Sequence, residues 1–332
     1  MAEVQPAGDD AKIIITRPLQ DDPVNMLRRR GFTNIWLHEE DANIPRTLLL
    51  EQIKGAAAAL TLPGDKPIDA EVFDAAGPQF RIVSNYAVGV DNIDLAEAKR
   101  RGIVVGHTPD PVTEPTADIA WLLLLGAARR AYEGEKLVRS GQWTGVGPNM
   151  LLGRRVIGKK LLIVGAGRIG RAVARRAIGW NMEISYVARS RHHEFEEAPI
   201  CAPKVELDRG LAEADFISLH TPLTEETRRF IDARRIGLMK ETAVVINTAR
   251  GPVVDEAALV EALRGGRIAA AGFDVYEHEP KLAPGLAELE NVFLLPHIGS
   301  ATEEDRAWMT KIAVENITAV LRGERAPHLF PL

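Results

Sequence analysis

The segment LLIVGAGRIGRAVARRA, residues 161–177, decides the fold, because it joins a buried strand to a helix through a glycine-rich turn. Gly165, Gly167 and Gly170 have the G-x-G-x-x-G spacing of a dinucleotide-binding turn. The first glycine permits the tight turn, the second lets the backbone approach a pyrophosphate, and the third allows close packing of helix on strand. The N-terminus of the helix favours the negative charge. The segment therefore predicts a pyrophosphate-binding turn.

A series of short apolar runs, alternating with helical patterns, begins at this segment. Such an alternation is typical of βαβ units and a parallel sheet. Six runs are the number expected for a complete, doubly wound Rossmann sheet. They are Leu161–Val164, Glu183–Val187, Phe216–His220, Ala243–Asn247, Ala269–Phe273 and Val292–Leu295.

The first part of the chain shows the same alternation and predicts a second α/β lobe. Its strands are expected at Lys12–Thr16, Ile35–Leu37, Ala57–Leu62, Arg81–Asn85 and Ile103–Val105. We expect a final helix, about Glu303 to Leu321, to pack back against this lobe. The predicted domains are thus a discontinuous, flavodoxin-like substrate-binding domain of residues 1–110 and 297–332, and a NAD(P)-binding Rossmann domain of residues 111–296.

A long helix is predicted from about Thr116 to Ser140, and its middle, Trp121 to Leu125, is apolar on every side. A helix that is apolar all round is normally buried. A small domain has little room to bury it completely, so a subunit interface is the second expectation for this helix.

Composition narrows the functional class. Among 332 residues, 46% are hydrophobic and 26% charged, the net charge is −5, and the arginine pairs are scattered, so nucleic acid is not an expected partner. The single cysteine, Cys201, excludes an intrachain disulfide and a cysteine-rich metal cluster, and the eight histidines are dispersed, so no metal is expected. Met1 to Asp10 is polar, and the longest apolar stretch, Ile119 to Ala128, is too short to span a bilayer. We expect a cytoplasmic protein that does not bind membranes.

The end of the second Rossmann strand predicts which cofactor is bound. A carboxylate at this position holds the ribose 2′-hydroxyl of NAD, whereas arginine accommodates a 2′-phosphate. Here no carboxylate stands at the strand end, and Arg189 and Arg191 flank Ser190. Because the planar guanidinium suits phosphate, we predict a preference for NADP(H), with NAD(H) still possible.

Polar residues follow three later strands where an open α/β sheet binds its ligands. They are Arg250, then Asp274 with Glu279, and His297. Hydride transfer to a carbonyl needs a proton donor, which histidine supplies near neutral pH. A carboxylate paired with that histidine favours its protonated form, and arginine binds a substrate carboxylate. Spacing alone does not separate Glu277 from Glu279.

The chain resembles the D-isomer specific 2-hydroxyacid dehydrogenases across nearly its whole length. The motifs that carry this resemblance are residues 85–94 (NYAVGVDNID), 165–170 (GAGRIG), 220–227 (HTPLTEET), 247–256 (NTARGPVVDE), 273–280 (FDVYEHEP) and 296–302 (PHIGSAT). The resemblance implies that Arg250, Glu279 and His297 are catalytic, and that His297 and Arg250 also contact the substrate. It further implies that the backbone N–H groups of Val88 and Gly89 bind the substrate carboxylate, and that Asp274 lies near the nicotinamide.

The complete predicted cofactor site adds further residues around these strand ends. It consists of Gly165, Gly167, Arg168, Ile169, Gly170, Arg189, Ser190, Arg191, Thr221, Pro222, Thr248, Ala249, Arg250, Asp274, His297 and Gly299.

Within the family, the segments GHTPD (residues 106–110), KETAVVINTARG (240–251) and PHIGSAT look most like those of glyoxylate/hydroxypyruvate reductases. That resemblance implies reduction of glyoxylate to glycolate and of hydroxypyruvate to glycerate with NADPH, by a homodimer. A related dehydrogenase for 3-phosphoglycerate, D-lactate or a bulkier 2-oxoacid stays open. So does a dinucleotide-sensing, corepressor-like binding protein, which would bind the cofactor without turning it over.

Overall fold

The computed structural model describes residues 6–65 and 67–332. Residues 1–5, part of the polar start considered above, and Lys66 lie outside the described residues. The chain divides into a first unit, Met1–Val112 with Ser300–Leu332, and a second unit, Thr113–Gly299. The predicted boundaries after residues 110 and 296 lie two and three residues from these, since residues 111–112 belong to the first unit and residues 297–299 to the second. Hydrogen bonds from the amides of Ile298 and Gly299 to Asp274 tie the second of these segments to the second unit.

The strands follow the chain in two groups. The first unit contains β1 (Lys12–Ile15), β2 (Ile35–Leu37), β3 (Ala56–Thr61), β4 (Ile82–Asn85) and β5 (Val104–Gly106). The second contains β6 (Lys160–Val164), β7 (Glu183–Val187), β8 (Phe216–Leu219), β9 (Val244–Asn247), β10 (Ala270–Phe273) and β11 (Val292–Leu294). Every strand predicted from the sequence is present, with ends that differ by one residue at most.

The helices alternate with these strands. They are α1 (Pro23–Arg29), α2 (Arg46–Gln52), α3 (Ala70–Ala76), α4 (Leu95–Arg101), α5 (Thr113–Ala128), α6 (Ala131–Arg139), α7 (Arg168–Ile178), α8 (His193–Glu196), α9 (Leu207–Glu213), α10 (Ala233–Ile236), α11 (Glu256–Arg264) and α12 (Glu303–Leu321), with a 3₁₀ turn at Gly251–Val253. In the part of the chain that the structure describes, no helix has the length and apolar character to cross a membrane.

The first unit contains a parallel five-stranded sheet in the order β2-β1-β3-β4-β5. This is the flavodoxin-like order. Helix α12 returns to this unit and packs on β3, β4 and α1. The strands β3 and β4 of this sheet are buried along their whole length, because helices cover both faces of a parallel sheet.

The second unit contains a parallel six-stranded sheet in the order β11-β10-β9-β8-β6-β7. A parallel bridge from Tyr186 to Lys204 extends the β7 edge. Alternate side chains of β6 enter two different cores: Leu161 and Ile163 belong to one, Leu162 and Val164 to the other. Both faces of the sheet are therefore covered, which confirms the predicted doubly wound α/β lobe.

The single helix predicted from Thr116 to Ser140 is wrong, because two helices, α5 and α6, occupy this stretch. Arg130 takes a left-handed conformation (φ 55°), and the carbonyl of Ala128 accepts a hydrogen bond from Arg154 (2.6 Å) rather than continuing a helix. Helix α5 packs against α7, β9 and β10, so the second unit itself buries most of the apolar stretch. Exposed apolar side chains instead follow α5, at Val138, Trp143, Val146 and Leu152.

Candidate active site

The glycine turn after β6 has the geometry that a pyrophosphate requires. Gly165 has a φ of 107°, and a Cβ there would lie 2.6 Å from the carbonyl carbon of His220. At Gly170 a Cβ would overlap the carbonyl oxygen of Gly165, so the helix can sit this close to the turn only with glycine. Among the residues that the structure describes, none other than its chain neighbours lies within 4 Å of a Cβ built on Gly167, and no side chain caps α7. The first turn of α7 is thus open to a phosphate group.

The predicted cofactor residues all lie in this turn, in the first turn of α7 or in segments that follow the carboxyl ends of β7 to β11. Those after the strands are Arg189, Ser190 and Arg191, then Thr221 and Pro222, then Thr248, Ala249 and Arg250, then Asp274, and finally His297 and Gly299. One edge of one sheet therefore carries every predicted cofactor contact.

The two arginines after β7 differ in their surroundings. The Arg191 guanidinium donates from Nε to both carboxylate oxygens of Glu196 at 3.0 Å, and Glu196 also accepts from the Tyr186 hydroxyl at 2.8 Å. The hydrogen bond from Arg191 and that from Tyr186 hold the pKa of Glu196 below its usual value. The exposed Arg189 side chain forms no hydrogen bond or ion pair with the rest of the described chain, while its carbonyl accepts from Lys204 at 3.2 Å. Arg189 is thus the arginine available to an incoming phosphate.

His220 connects the ends of β8 and β9. Its Nε2 lies 2.8 Å from the Ser218 hydroxyl, and its Nδ1 lies 3.5 Å from that of Thr248. Burial lowers the pKa of His220 to about 3, so this ring is neutral near pH 7. His220 is a fixed part of the strand edge and does not supply a proton at that pH.

The side chain of Asn247, the last residue of β9, shapes the loop that carries Arg250. Its Oδ1 accepts from the amide of Ala249 at 3.0 Å, and its Nδ2 donates to the Arg250 carbonyl at 3.0 Å. A Cβ on Gly251 would overlap the backbone of Tyr276, so the Arg250 loop packs directly on the loop after β10. These contacts bring Arg250 to the edge that also carries Glu279.

Asp274 anchors the loop that carries His297. Its carboxylate accepts from the amides of Ile298 and Gly299, both at 2.8 Å. Burial raises the pKa of Asp274, against the opposing effect of these hydrogen bonds. His297 has a φ of 55°, a conformation uncommon for residues other than glycine. Contacts on both sides of His297 hold this conformation. The Asp274 carboxylate holds the residues that follow it, and the Tyr276 hydroxyl, which donates to the Leu295 carbonyl at 2.8 Å, holds the residues that precede it.

His297 and Glu279 form the central pair of the site. Nδ1 of His297 lies 2.9 Å from Oε2 of Glu279. Burial opposes the charge of Glu279, but the hydrogen bond and charge of His297 and the charge of Arg250 hold the pKa of Glu279 below its usual value. Glu277, which spacing did not separate from Glu279, instead pairs with Arg229 at 3.1 Å. The geometry thus selects Glu279 as the partner of the histidine.

In the first unit, Val88 and Gly89 lie in the loop after β4. The Val88 carbonyl is 3.0 Å from Nδ1 of His107, and the Gly89 carbonyl accepts from Nδ2 of Asn85 at 2.8 Å. Within residues 6–65 and 67–332, no group accepts a hydrogen bond from the amide of Val88 or of Gly89. Their role in substrate binding stays a prediction.

The second unit joins a turn shaped for a dinucleotide to an acid–base pair beside an arginine. A histidine held by a carboxylate can transfer a proton, and an arginine can bind an anionic substrate. Fold and site together define the class: a dinucleotide-dependent oxidoreductase.

Comparisons with known proteins narrow the class to a family. The family model described as D-isomer specific 2-hydroxyacid dehydrogenase, NAD binding domain, matches residues 121–299. The chain is 47% identical over 322 residues to the glyoxylate reductase of Thermococcus onnurineus, covering 96% of this chain and 95% of the relative. It is 48% identical to the glyoxylate reductase of Pyrococcus furiosus, covering 96% and 94%. The crystal structure of the NADPH-dependent glyoxylate/hydroxypyruvate reductase of Sinorhizobium meliloti with NADP and malonate is 30% identical, with a TM-score of 0.84 and 96% of both chains covered.

The chain belongs to the D-isomer specific 2-hydroxyacid dehydrogenases, which confirms the resemblance found in the sequence. It is an oxidoreductase that reduces a 2-oxoacid and uses a nicotinamide dinucleotide as cofactor. When bound, that cofactor supplies or accepts the hydride.

Sequence reasoning missed several residues that support the site. The carboxylate of Glu196 was not identified as the partner of Arg191, although it lies five residues further along the chain. Tyr276 was not singled out, although its amide donates to Oε1 of Glu279 at 3.0 Å. Asn85 was not singled out either, although its buried amide binds the Gly89 carbonyl at 2.8 Å. The partners lie only three to five residues apart, but each contact depends on how the intervening chain turns, which no residue pattern indicated.

Proposed function

We propose that this protein catalyses the NADPH-dependent reduction of glyoxylate to glycolate and of hydroxypyruvate to D-glycerate. The observation that carries the proposal is the 2.9 Å contact between Nδ1 of His297 and Oε2 of Glu279. Arg250 lies close enough for its charge to contribute to the lowered pKa of Glu279. The relatives named glyoxylate reductase support this choice of substrate. The alternative of a non-catalytic dinucleotide sensor has no feature of the described residues in its favour.

In this mechanism His297 is the general acid. Because Glu279 occupies Nδ1, the ring presents Nε2 to the substrate carbonyl oxygen and donates its proton there as the alkoxide forms. Glu279 keeps the ring oriented and favours its charged form. Arg250 binds the substrate carboxylate and draws electron density from the carbonyl.

We further propose that the amides of Val88 and Gly89 bind the substrate carboxylate. Both residues are half-buried, and both N–H groups lack an acceptor within the described part of the chain. Backbone N–H groups of this kind suit a carboxylate, because hydrogen bonds to a charged acceptor are stronger than those to a neutral one.

The preference for NADPH is part of the same proposal. Support comes from the exposed Arg189 guanidinium and from the absence of a carboxylate at the end of β7. The Sinorhizobium meliloti relative is described as NADPH-dependent. Because Glu196 already binds Arg191, we assign the main contact with the 2′-phosphate to Arg189.

A homodimer is the assembly we propose. Helix α6 has no buried residue, and exposed apolar side chains continue beyond it, with Val146 at 90% and Leu152 at 65% exposure. A second copy of the chain would remove these groups from water. Light scattering should give twice the monomer mass, and Val146→Lys combined with Leu152→Lys should give a monomer. A wild-type monomer at micromolar concentration would contradict this part of the proposal.

The test of the activity is the loss of absorbance at 340 nm with glyoxylate and with hydroxypyruvate, each run with NADPH and with NADH. We expect rapid oxidation of NADPH and slower oxidation of NADH. A preference for NADH would retain the reaction and reject the role of Arg189. Binding of NADPH without turnover would reject both substrates, and 3-phosphoglycerate, pyruvate and bulkier 2-oxoacids would then be assayed in the same way.

A further inference from the structure

A cluster of buried side-chain amides and hydroxyls lies at the carboxyl ends of β3 and β4 in the first unit. Asn85 is 0% exposed, Thr61 1% and Asn92 5%. Burying polar groups costs free energy unless each one is hydrogen-bonded. A cluster of this kind therefore has to be satisfied by its own members and by nearby backbone.

Asn85 is at the centre of the cluster and uses its complete hydrogen-bonding capacity. Its Nδ2 donates to the carbonyl of Gly89 at 2.8 Å and to Oδ1 of Asn92 at 3.0 Å. Its Oδ1 accepts from the Thr61 hydroxyl at 3.1 Å and from Nδ2 of Asn92 at 3.2 Å. Two donors and two lone pairs are all that an asparagine side chain offers. Its orientation is therefore fixed.

The contact with Gly89 completes a pattern along the loop after β4. Four consecutive carbonyl groups of this loop have a partner within the first unit. Ala87, Val88, Gly89 and Val90 are bound by Thr108, His107, Asn85 and Ile93, respectively. The carbonyl groups are held by the protein, whereas the amides of Val88 and Gly89 have no acceptor in the described chain.

We propose that Asn85 is a positioning residue that orients the Val88 and Gly89 amides toward the carboxylate of the 2-oxoacid. This inference rests on the proposed function, in which those two amides bind the substrate. The Val88 and Gly89 N–H groups lie in the peptide planes of the Ala87 and Val88 carbonyls, which Thr108 and His107 hold. Asn85 fixes the next plane, that of the Gly89 carbonyl. It thereby restrains the rotation of Gly89, so that the three consecutive planes are set before the substrate arrives. Asn92 helps to fix the orientation of the Asn85 amide. It exchanges two hydrogen bonds with Asn85, and its own Nδ2 is held by the Leu62 carbonyl at 3.1 Å.

The test compares Asn85→Ala with Ser84→Ala in the full-length protein. Ser84 is the neighbouring residue of the same strand and equally buried, and its hydroxyl donates to the Ala313 carbonyl at 3.0 Å, away from the loop. The control therefore removes a buried hydrogen bond without touching the 86–92 loop. We expect Asn85→Ala to raise KM for glyoxylate by about tenfold, because a misaligned loop would lose the equivalent of one hydrogen bond from a backbone amide to the substrate carboxylate. The inhibition constant of oxalate, a dicarboxylate that is not reduced, should rise by a similar factor. The kcat should change by less than about twofold, and the NADPH Kd should not change.

Hydrogen exchange of the 86–92 segment separates this inference from the proposed function. Asn85→Ala should accelerate exchange there relative to wild type, and Ser84→Ala should not. If wild type reduces no 2-oxoacid, the proposed function fails, while the exchange comparison still decides whether Asn85 orders the loop. Equal KM values and equal exchange in wild type and Asn85→Ala would overturn the inference. Should Asn85→Ala not fold, Asn92→Ala serves as the second variant, with a smaller rise in KM expected, and an unchanged KM would again overturn it.

Discussion

Two loops at sheet edges carry the groups that we propose to bind the substrate and to transfer the proton, and they are built in opposite ways. In the 86–92 loop of the first unit, a neutral amide and a histidine ring bind backbone carbonyls and leave two N–H groups without an acceptor in the described chain. In the 295–299 loop of the second unit, the Asp274 carboxylate binds two N–H groups, and the side chain of His297 is the group presented. In the proposed function, the first loop therefore offers backbone N–H groups to the substrate, and the second offers a titratable side chain.

The two loops should also differ in how their functions depend on pH. The side chains of Asn85, Thr61 and Asn92 do not titrate, so the hydrogen bond that holds the Gly89 carbonyl should depend little on pH. The second loop depends on the ionised Glu279 and on the protonation state of His297. The pH dependence of the proton-transfer step should therefore originate in the second loop.

The largest expected effect is that of His297→Ala, which removes the proton donor. We expect kcat for reduction to fall roughly 10³-fold, within the range of general acid catalysis, with NADPH affinity unchanged. His278→Ala is the matched control, since His278 is an exposed histidine of the loop that also carries Glu279. Stopped-flow and steady-state assays at 340 nm measure the change, and retention of wild-type kcat would remove His297 from the mechanism.

The next effect in size is that of Glu279→Gln. Because the pKa of Glu279 is lowered, its carboxylate is charged near neutral pH and favours the protonated His297 ring. Without this charge, kcat/KM should fall roughly 10- to 100-fold, and its decline with rising pH should begin at a lower pH. Glu277→Gln is the control, because Glu277 pairs with Arg229. Identical pH profiles for wild type and Glu279→Gln would contradict the assignment.

An intermediate effect is expected on the preference for NADPH over NADH, and the comparison of Arg189→Ala with Arg191→Ala tests it. Loss of the exposed Arg189 should raise KM for NADPH about tenfold and leave KM for NADH unchanged, since one charge-assisted contact is lost. Arg191→Ala should have a smaller effect on KM for NADPH because Glu196 already holds that guanidinium. A larger effect at Arg191 than at Arg189 would reverse the assignment of the phosphate-binding residue.

The smallest expected effect is that of Thr116→Val on the second loop. The buried Thr116 hydroxyl donates to the Gly299 carbonyl at 3.1 Å, close to the Asp274 anchor. Its loss should reduce the free energy of unfolding by about 1 kcal/mol and kcat by about twofold. Thr318→Val, whose hydroxyl bonds within α12, should cost similar stability with unchanged kcat. Urea denaturation and the 340 nm assay measure the two quantities, and an unchanged kcat in Thr116→Val would show that Asp274 suffices to hold the loop.

Local patterns were enough for much of the fold. The alternation of short apolar strands with helices predicted both parallel sheets, because strand burial and helical periodicity are properties of neighbouring residues. The glycine spacing at residues 165–170 predicted the turn for the same reason. The helix expected from Thr116 to Ser140 failed where a distant residue, Arg154, takes the carbonyl that would have continued it.

The sequence by itself determined the two α/β lobes, the dinucleotide turn and the polar residues at the strand ends, since all of these follow from short-range spacing and residue chemistry. Tertiary structure decided which groups meet. It selected Glu279 over Glu277 as the partner of His297, tied Arg191 to Glu196 while Arg189 remained exposed, and enclosed Asn85 beneath the 86–92 loop. Arg191 and Glu196 lie 5 residues apart, Asn85 and Gly89 lie 4 apart, and Glu279 and His297 lie 18 apart. Whether such pairs meet depends on how the intervening chain turns, and residue spacing alone does not contain that information.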